Sequence, residues 1–147
     1  MVCLFNVHLH QYGIKWNKLV IVNRAKDMKN KLVINISSLA ALQPFETWGS
    51  YCSGKAARDS LFKNMAVEEV DSWTVLNYAP GPLDTKMIKD LLDDQGTHAN
   101  IRSAFENMKK SNSLLTPEQS AKRMIEILNK PKGAFKSGDH VDYFDEV

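Results

Sequence analysis

The sequence has few cysteines, no long apolar run and no basic stripe, and each of these absences excludes a class of protein. Two cysteines in 147 residues, Cys3 and Cys52, make no disulfide framework, and two free thiols in a reducing compartment are the simpler interpretation. No apolar run approaches the roughly 18 residues of a membrane span. The 19 basic and 17 acidic residues are interspersed without a basic stripe, so nucleic acid is not an expected partner.

The beginning of the chain gives three expectations. It has neither a basic segment nor a small-residue cleavage site, so a signal peptide is not indicated and a cytoplasmic protein is expected. Apolar residues recur at helical spacing from Val2 to Leu9, which predicts a helix over residues 1–12. His8 and His10 would share a face only on a strand and have no third ligand nearby, so we predict no metal site.

Beyond residue 31, apolar runs alternate with amphipathic segments. Residues 32–37 and 73–78 are apolar and β-branched without alternation, as buried parallel strands are. Helices are predicted over 51–70, 87–92 and 101–108, and after Thr116, where a capping box precedes an apolar stripe. A short strand or extended tail is expected at 140–144. The expected buried faces are Ala57, Leu61 and Met65 on the first of these helices, and Ala121, Met124, Ile125 and Leu128 on the last.

The predicted order α, β, α, β, α, α, α, β indicates an α/β fold, a parallel sheet with flanking helices in one domain over residues 1–147. A doubly wound dinucleotide-binding sheet also needs a glycine-rich first βα turn to seat the pyrophosphate. No pair among the seven glycines forms one. We therefore predict a partial Rossmann-type sheet that lacks the N-terminal glycine-rich βα unit. The glycines are Gly13, Gly49, Gly54, Gly81, Gly96, Gly133 and Gly138.

The strongest chemical signal is Tyr51 and Lys55, four residues apart on a predicted helix and therefore on one face. An ammonium beside a phenol favours the phenolate and makes the tyrosine an easier proton donor and acceptor. Ser38 closes the preceding strand, where its hydroxyl is a reasonable partner for a carbonyl oxygen. A second strand runs into Pro80 and Gly81, a glycine turn that feeds a helix and is typical of ligand-binding sites.

Five segments together resemble the short-chain dehydrogenase/reductases, specifically members that reduce pterins. The resemblance covers the chain from about residue 32 to its end, and the first thirty residues match poorly. The chain looks like the second half of such a reductase. The segments are Asn35-Ile36-Ser37-Ser38, Leu42-Gln43-Pro44-Phe45, Tyr51 through Asp59, Asn77 through Thr85, and Phe135 through Asp142.

The resemblance implies roles for individual residues. Tyr51 would give its proton to the substrate carbonyl as hydride arrives from NADPH, Lys55 would lower the pKa of the tyrosine and bond the nicotinamide ribose, and Ser38 would hold the carbonyl oxygen. Gly81 would lie beside the substrate. Asp142, in Ser-Gly-x-His-Val-Asp, would accept from the ring N–H and exocyclic amine of a pterin. The cofactor NADPH or NADP would contact Tyr51 and Lys55 and would lie along Leu83, Asp84, Thr85, Lys86, Met87 and Ile88.

Three functions remain open at this point. The first is NADPH-dependent reduction of a pterin side-chain ketone toward tetrahydrobiopterin. The second is reduction of another diketone or small carbonyl. The third is an inactive half-domain that pairs with a partner. The resemblance implies a homodimer through the helices flanking the serine strand, here the region near Met1 and the helix from Tyr51 to Val70.

Overall fold

The computed structural model describes residues 2–4, 31–68, 73–131 and 133–147. Four parallel strands form one sheet in the order β1-β2-β3-β4. They are β1 (Val2–Leu4), β2 (Lys31–Ile36), β3 (Trp73–Ala79) and β4 (His140–Asp142). The α/β class and the parallel sheet are as predicted.

Helices connect the strands. A 3-10 helix, Leu39–Ala41, follows β2 and precedes α1 (Gly49–Glu68); α2 (Lys86–Asp93), α3 (Ala99–Lys110) and α4 (Pro117–Leu128) follow β3. The predicted capping box at Thr116 is confirmed, because its hydroxyl accepts from the Gln119 N–H at 3.2 Å and the Gln119 side chain accepts from the Thr116 N–H at 2.8 Å. Among the described helices, none has the length and apolar character to cross a membrane.

The helix predicted for the start of the chain is wrong at residues 2–4. Val2, Cys3 and Leu4 form β1, which pairs in parallel with Leu32, Val33 and Ile34 of β2. An apolar run this short fits a buried strand as well as a helical turn, so its periodicity cannot separate the two. The rest of that predicted helix, with His8 and His10, lies outside the described residues.

Strand alternation divides the core into two layers. Successive side chains point to opposite faces of a sheet. Val33 and Val75 meet α1 on one face, together with Phe62, Met65, Ala66 and Trp73. Ile34 and Leu76 lie on the other face with Tyr78, Val141 and Ile127 of α4.

The buried face predicted for α1 is rotated from the true one. Met65 is buried as predicted, but Ala57 is exposed and Leu61 only partly buried, whereas Asp59 and Phe62 are buried. A buried face predicted from apolar residues alone cannot include an aspartate. In α1 the side that faces the sheet is the one that carries Asp59.

The face predicted for α4 is also partly wrong. Ala121 is exposed and Ile125 is 54% exposed, while Ser120 and Ile127 are buried and Met124 and Leu128 are half-buried. The Ser120 side chain explains this orientation, because its hydroxyl donates to the Pro80 carbonyl at 2.9 Å and lies 3.1 Å from the Tyr78 hydroxyl. Burial also raises the pKa of the Tyr78 phenol.

Candidate active site

The predicted site residues gather at the carboxyl edge of the sheet. Ser38 follows β2, the Pro80-Gly81 turn follows β3, and Asp142 ends β4. Parallel strands bring these ends to one edge, the usual ligand-binding edge of open α/β sheets.

Ser38 is held by the turn that it begins. It is the N-cap of the 3-10 helix, and its Oγ accepts from the Ala40 N–H at 3.2 Å. This bond uses one lone pair of a hydroxyl that also has a donor hydrogen. The hydrogen can therefore be offered to an oxygen at the sheet edge.

Tyr51 and Lys55 lie on one face of α1, as their spacing predicts. The Lys55 Nζ is 5.6 Å from the centroid of the Tyr51 ring. Tyr51 is in the first turn of α1, where the positive end of the helix dipole favours negative charge. The helix end and the ammonium therefore both place positive charge beside the Tyr51 side chain.

Lys55 is anchored to the end of β2. Its Nζ donates to the carbonyl oxygens of Ile36 at 3.0 Å and Ser37 at 3.2 Å. Burial and, to a smaller extent, the positive charge of Arg58 lower the pKa of Lys55 to about 8, and the negative charge of Asp59 opposes this shift. Arg58 donates to the same Ile36 carbonyl at 2.9 Å, so two cations share one acceptor.

A cluster of aromatic rings adjoins the tyrosine through Trp48. Trp48 contacts Tyr51 edge to face at 5.4 Å between ring centroids, Phe45 at 5.6 Å, and Phe105 of α3 in a stacked pair at 6.1 Å. Glu46 links the same two segments, accepting from Asn100 at 3.0 Å and lying 2.9 Å from His98. These rings form an aromatic wall of Phe45, Trp48, Tyr51 and Phe105, and Phe105 is a member that its sequence position did not reveal.

The glycine turn after β3 packs against the end of the chain. Gly81 has φ of +75°, a conformation that glycine adopts at low cost. A Cβ at this position would lie 2.8 Å from Leu115 Cδ1 and 3.4 Å from Tyr143 Cβ. The turn therefore requires glycine both for its backbone and for its contacts.

The six residues predicted to line the cofactor differ in accessibility. Asp84, Lys86 and Met87 are exposed, Leu83 and Thr85 are half-buried, and the side chain of Ile88 is buried. Thr85 occupies the N-cap position of α2, but its hydroxyl makes no capping bond. Its side chain can therefore bond a ligand without disrupting the helix.

Asp142 is oriented by its own turn. Its Oδ1 accepts from the Phe144 N–H at 3.1 Å, and its N–H donates to Asp145 Oδ2 at 2.8 Å. Arg123 of α4 fixes this tail by donating to the carbonyl oxygens of Tyr143 at 3.3 Å and Asp145 at 2.6 Å.

Sequence reasoning missed a buried polar cluster beside these residues. It contains Asn35, Ser37, Asp59, Asn77 and His140. The available signal was the position of Asp59, four residues after Lys55 and so on the same helix face. Within the described ranges, no three His, Cys, Asp or Glu side chains form a group that could hold a metal.

The chain was compared with known proteins. Residues 18–96 match the short chain dehydrogenase family. Sepiapterin reductase of Xenopus tropicalis is 48% identical over 115 residues, which are 78% of this chain and 42% of that protein. Benzil reductase ((S)-benzoin forming) of Bacillus cereus is 31% identical over 127 residues, 84% of this chain and 51% of that protein.

A solved structure has the same fold. A short chain dehydrogenase/reductase of Saccharomyces cerevisiae superposes with a TM-score of 0.72 at 25% identity, covering 90% of this chain and 54% of that one. The chain thus spans less than half the length of the sepiapterin reductase it matches and about half of the other two proteins.

Proposed function

Because this chain belongs to the short chain dehydrogenase family, we propose that it carries the catalytic and substrate-binding part of an NADPH-dependent carbonyl reductase of the sepiapterin reductase type. The observation that supports this most directly is the pairing of Tyr51 with Lys55 at the sheet edge where Ser38 and Asp142 also lie. Its substrate would be the side-chain ketone of a pterin.

The family implies a nicotinamide cofactor, and the described residues suit its nicotinamide end. A phenol and an ammonium lie at the sheet edge, and the Thr85 hydroxyl at the start of α2 makes no capping bond. The sequence has no glycine-rich turn for the pyrophosphate, so the fit is confined to this end. NADPH, when bound, supplies the hydride that adds to the carbonyl carbon. Lys55 and Thr85 would hold it.

Two side chains would act on the carbonyl oxygen, and a third would act through the tyrosine. Tyr51 transfers its phenolic proton to this oxygen, which completes the alcohol. Lys55 and the N-terminus of α1 stabilise the phenolate left behind. The Ser38 hydroxyl donates to the same oxygen and stabilises the charge that develops there.

Asp142 supports the choice of a pterin. A pterin presents a ring N–H and an exocyclic amine side by side, and one carboxylate can accept from both. The turn that bonds Asp142 Oδ1 and the Arg123 bonds to the tail hold this carboxylate at the carboxyl end of β4.

Asp142→Asn is expected to weaken pterin binding by about 2–4 kcal/mol, a factor of roughly 30 to 1,000, because an amide N–H would face the donors of the ligand. The measurement is kcat/KM for sepiapterin divided by that for a small non-pterin dicarbonyl. The chain would be joined to the glycine-rich half of a sepiapterin reductase for this assay. Glu146→Gln removes a charge from the same exposed tail and serves as the control.

An unchanged ratio in Asp142→Asn would contradict the pterin assignment. It would favour reduction of another diketone, a candidate that the similarity to benzil reductase supports. Good turnover of benzil with none of sepiapterin would establish that alternative.

A third candidate is a half-domain that acts by pairing with a partner. The outer face of α1 carries Val67, which is 78% exposed. We propose that two copies of the chain form a homodimer through this face. The contribution expected from a helix near Met1 does not apply at residues 2–4, which form β1.

We place the protein in the cytoplasm, where the unpaired thiol of Cys52 would stay reduced.

The 147-residue chain by itself is expected to bind NADPH weakly or not at all, because its sequence provides no pyrophosphate turn. It is also expected to be oligomeric, because the unpaired backbone groups of an edge strand favour association. Titration calorimetry with NADPH and light scattering after gel filtration would measure both properties. A monomer with micromolar affinity for NADPH would contradict this expectation.

A further inference from the structure

A polar row crosses three strands just before the site. Asn35 of β2 pairs in register with Asn77 of β3, which pairs with His140 of β4. The row lies on the face covered by α1, two residues beyond the apolar Val33 and Val75. The layer between α1 and the sheet thus changes from apolar to polar as the strands approach their carboxyl ends.

The carboxylate of Asp59 joins this row to α1. Asp59 is 3% exposed. Its Oδ1 accepts from Asn35 Nδ2 at 2.9 Å and from Ser37 Oγ at 2.5 Å. Its Oδ2 lies 2.6 Å from His140 Nδ1. The cluster is closed by Asn35 Nδ2, which also donates to Asn77 Oδ1 at 2.9 Å, and by Asn77 Nδ2, which donates to the Gly138 carbonyl at 3.0 Å.

The hydrogen-bond donors around Asp59 indicate which atom carries the proton in the bond between Asp59 and His140. A carboxylate only accepts, and both contacts to Oδ1 come from donors, so with Asp59 ionised the proton lies on His140 Nδ1. The side chain of His140 is 7% exposed, and among the described residues its Nε2 is buried without a hydrogen-bond partner. The imidazole is therefore fixed by one strong bond, to Asp59.

Asp59 and two of its three partners lie close in sequence to residues of the active site. Asp59 lies one helical turn after Lys55, and Ser37 precedes Ser38. His140 precedes Asp142 by two residues, so their side chains share one face of β4. A polar cluster of this kind is weak evidence for stability, because apolar residues often replace buried charged pairs without loss. Because the cluster joins β2, β4 and α1 beside active-site residues, it is better suited to align these elements.

We propose that Asp59 and His140 are positioning residues that hold β4, and with it Asp142, at a fixed distance from Tyr51 and Lys55. This inference rests on the proposed function. A pterin anchored by Asp142 would present its ketone to Tyr51 only when β4 and α1 keep their spacing. A small dicarbonyl, which does not use Asp142, would not depend on it.

The test compares two His140 variants joined to the glycine-rich half of a sepiapterin reductase. His140→Phe fills the ring volume but removes the bond to Asp59, whereas His140→Asn places an amide N–H near the position of Nδ1. We expect His140→Phe to raise KM for sepiapterin about 10- to 100-fold, the loss typical of one charge-assisted hydrogen bond. Turnover of the dicarbonyl should change less than about twofold, and His140→Asn should restore most of the sepiapterin KM.

If His140→Phe fails to fold, a second variant replaces it in the comparison. Circular dichroism would report the failure, and His140→Gln, whose amide lies near the position of Nε2 and does not reach Asp59, would be compared with His140→Asn instead. The same split between the two substrates is expected. A merely structural role would lower turnover of both substrates together, and that result would overturn the proposal.

Asp142→Asn separates this inference from the function on which it rests. If Asp142→Asn changes the substrate ratio and His140→Phe does not, the positioning role is wrong and the pterin assignment stands. If neither changes it, both are wrong. The proposal is supported when both shift the ratio in the same direction.

Discussion

Tyr51→Phe is expected to lower carbonyl reduction by about 10²- to 10⁴-fold while NADPH affinity stays nearly unchanged, because only the proton donor is lost. The ring would stay in place, since Trp48 packs against it at 5.4 Å and the Lys55 ammonium lies 5.6 Å from its centroid. Single-turnover rates at saturating NADPH, in the chain joined to a glycine-rich half, measure this loss.

Tyr78→Phe is the matched control for this experiment. Tyr78 is buried on the opposite face of the sheet, where its hydroxyl donates to the Ser120 carbonyl. Removing that hydroxyl should cost about 1 kcal/mol of the free energy of unfolding and leave turnover within about twofold. If Tyr51→Phe retained most of the turnover, Tyr51 would have no part in proton transfer.

Phe62→Ala is expected to lower the free energy of unfolding by about 3–5 kcal/mol, the largest change in stability that we foresee. The Phe62 side chain is fully buried between α1 and the sheet, against Val33, Trp73 and Val75. Truncation would leave a cavity that the helix cannot close, because the hydrogen bonds of Asp59, three residues before Phe62, hold it at the sheet. Urea unfolding followed by circular dichroism measures the difference.

Phe144→Ala provides the same chemical change at an exposed position. Phe144 is 65% exposed and meets Tyr143 edge to face at 4.9 Å. Its loss should cost no more than about 1 kcal/mol. Equal costs for the two variants would mean that Phe62 is not part of a packed core.

The catalytic pair was predictable because its geometry is local. Two residues four apart on a helix share a face whatever the rest of the chain does, and Tyr51 and Lys55 do so here. The capping box at Thr116 is local in the same sense and was confirmed. Strands β2 and β3 were predictable because their runs are apolar and β-branched, as strands buried on both faces are.

The helix faces were predictable only in part. A stripe of apolar letters identifies a buried face when that face is apolar. Both α1 and α4 instead turn a polar residue inward, Asp59 in one and Ser120 in the other. Each buried polar group is stabilised by partners far away in the sequence, and those partners cannot be read from the helix itself.

The sequence by itself determined the α/β class, the parallel sheet, the Tyr51–Lys55 face and the lack of a glycine-rich turn, because each depends on residue types and on spacings within one segment. Only the tertiary structure decided that Val2–Leu4 is a strand and that Phe105 joins the aromatic wall. It alone brought Asp59 together with Asn35, 24 residues before it, and with His140, 81 residues after it. Contacts of that range depend on which strands are neighbours and on how α1 packs across them, and no pattern within one segment encodes either.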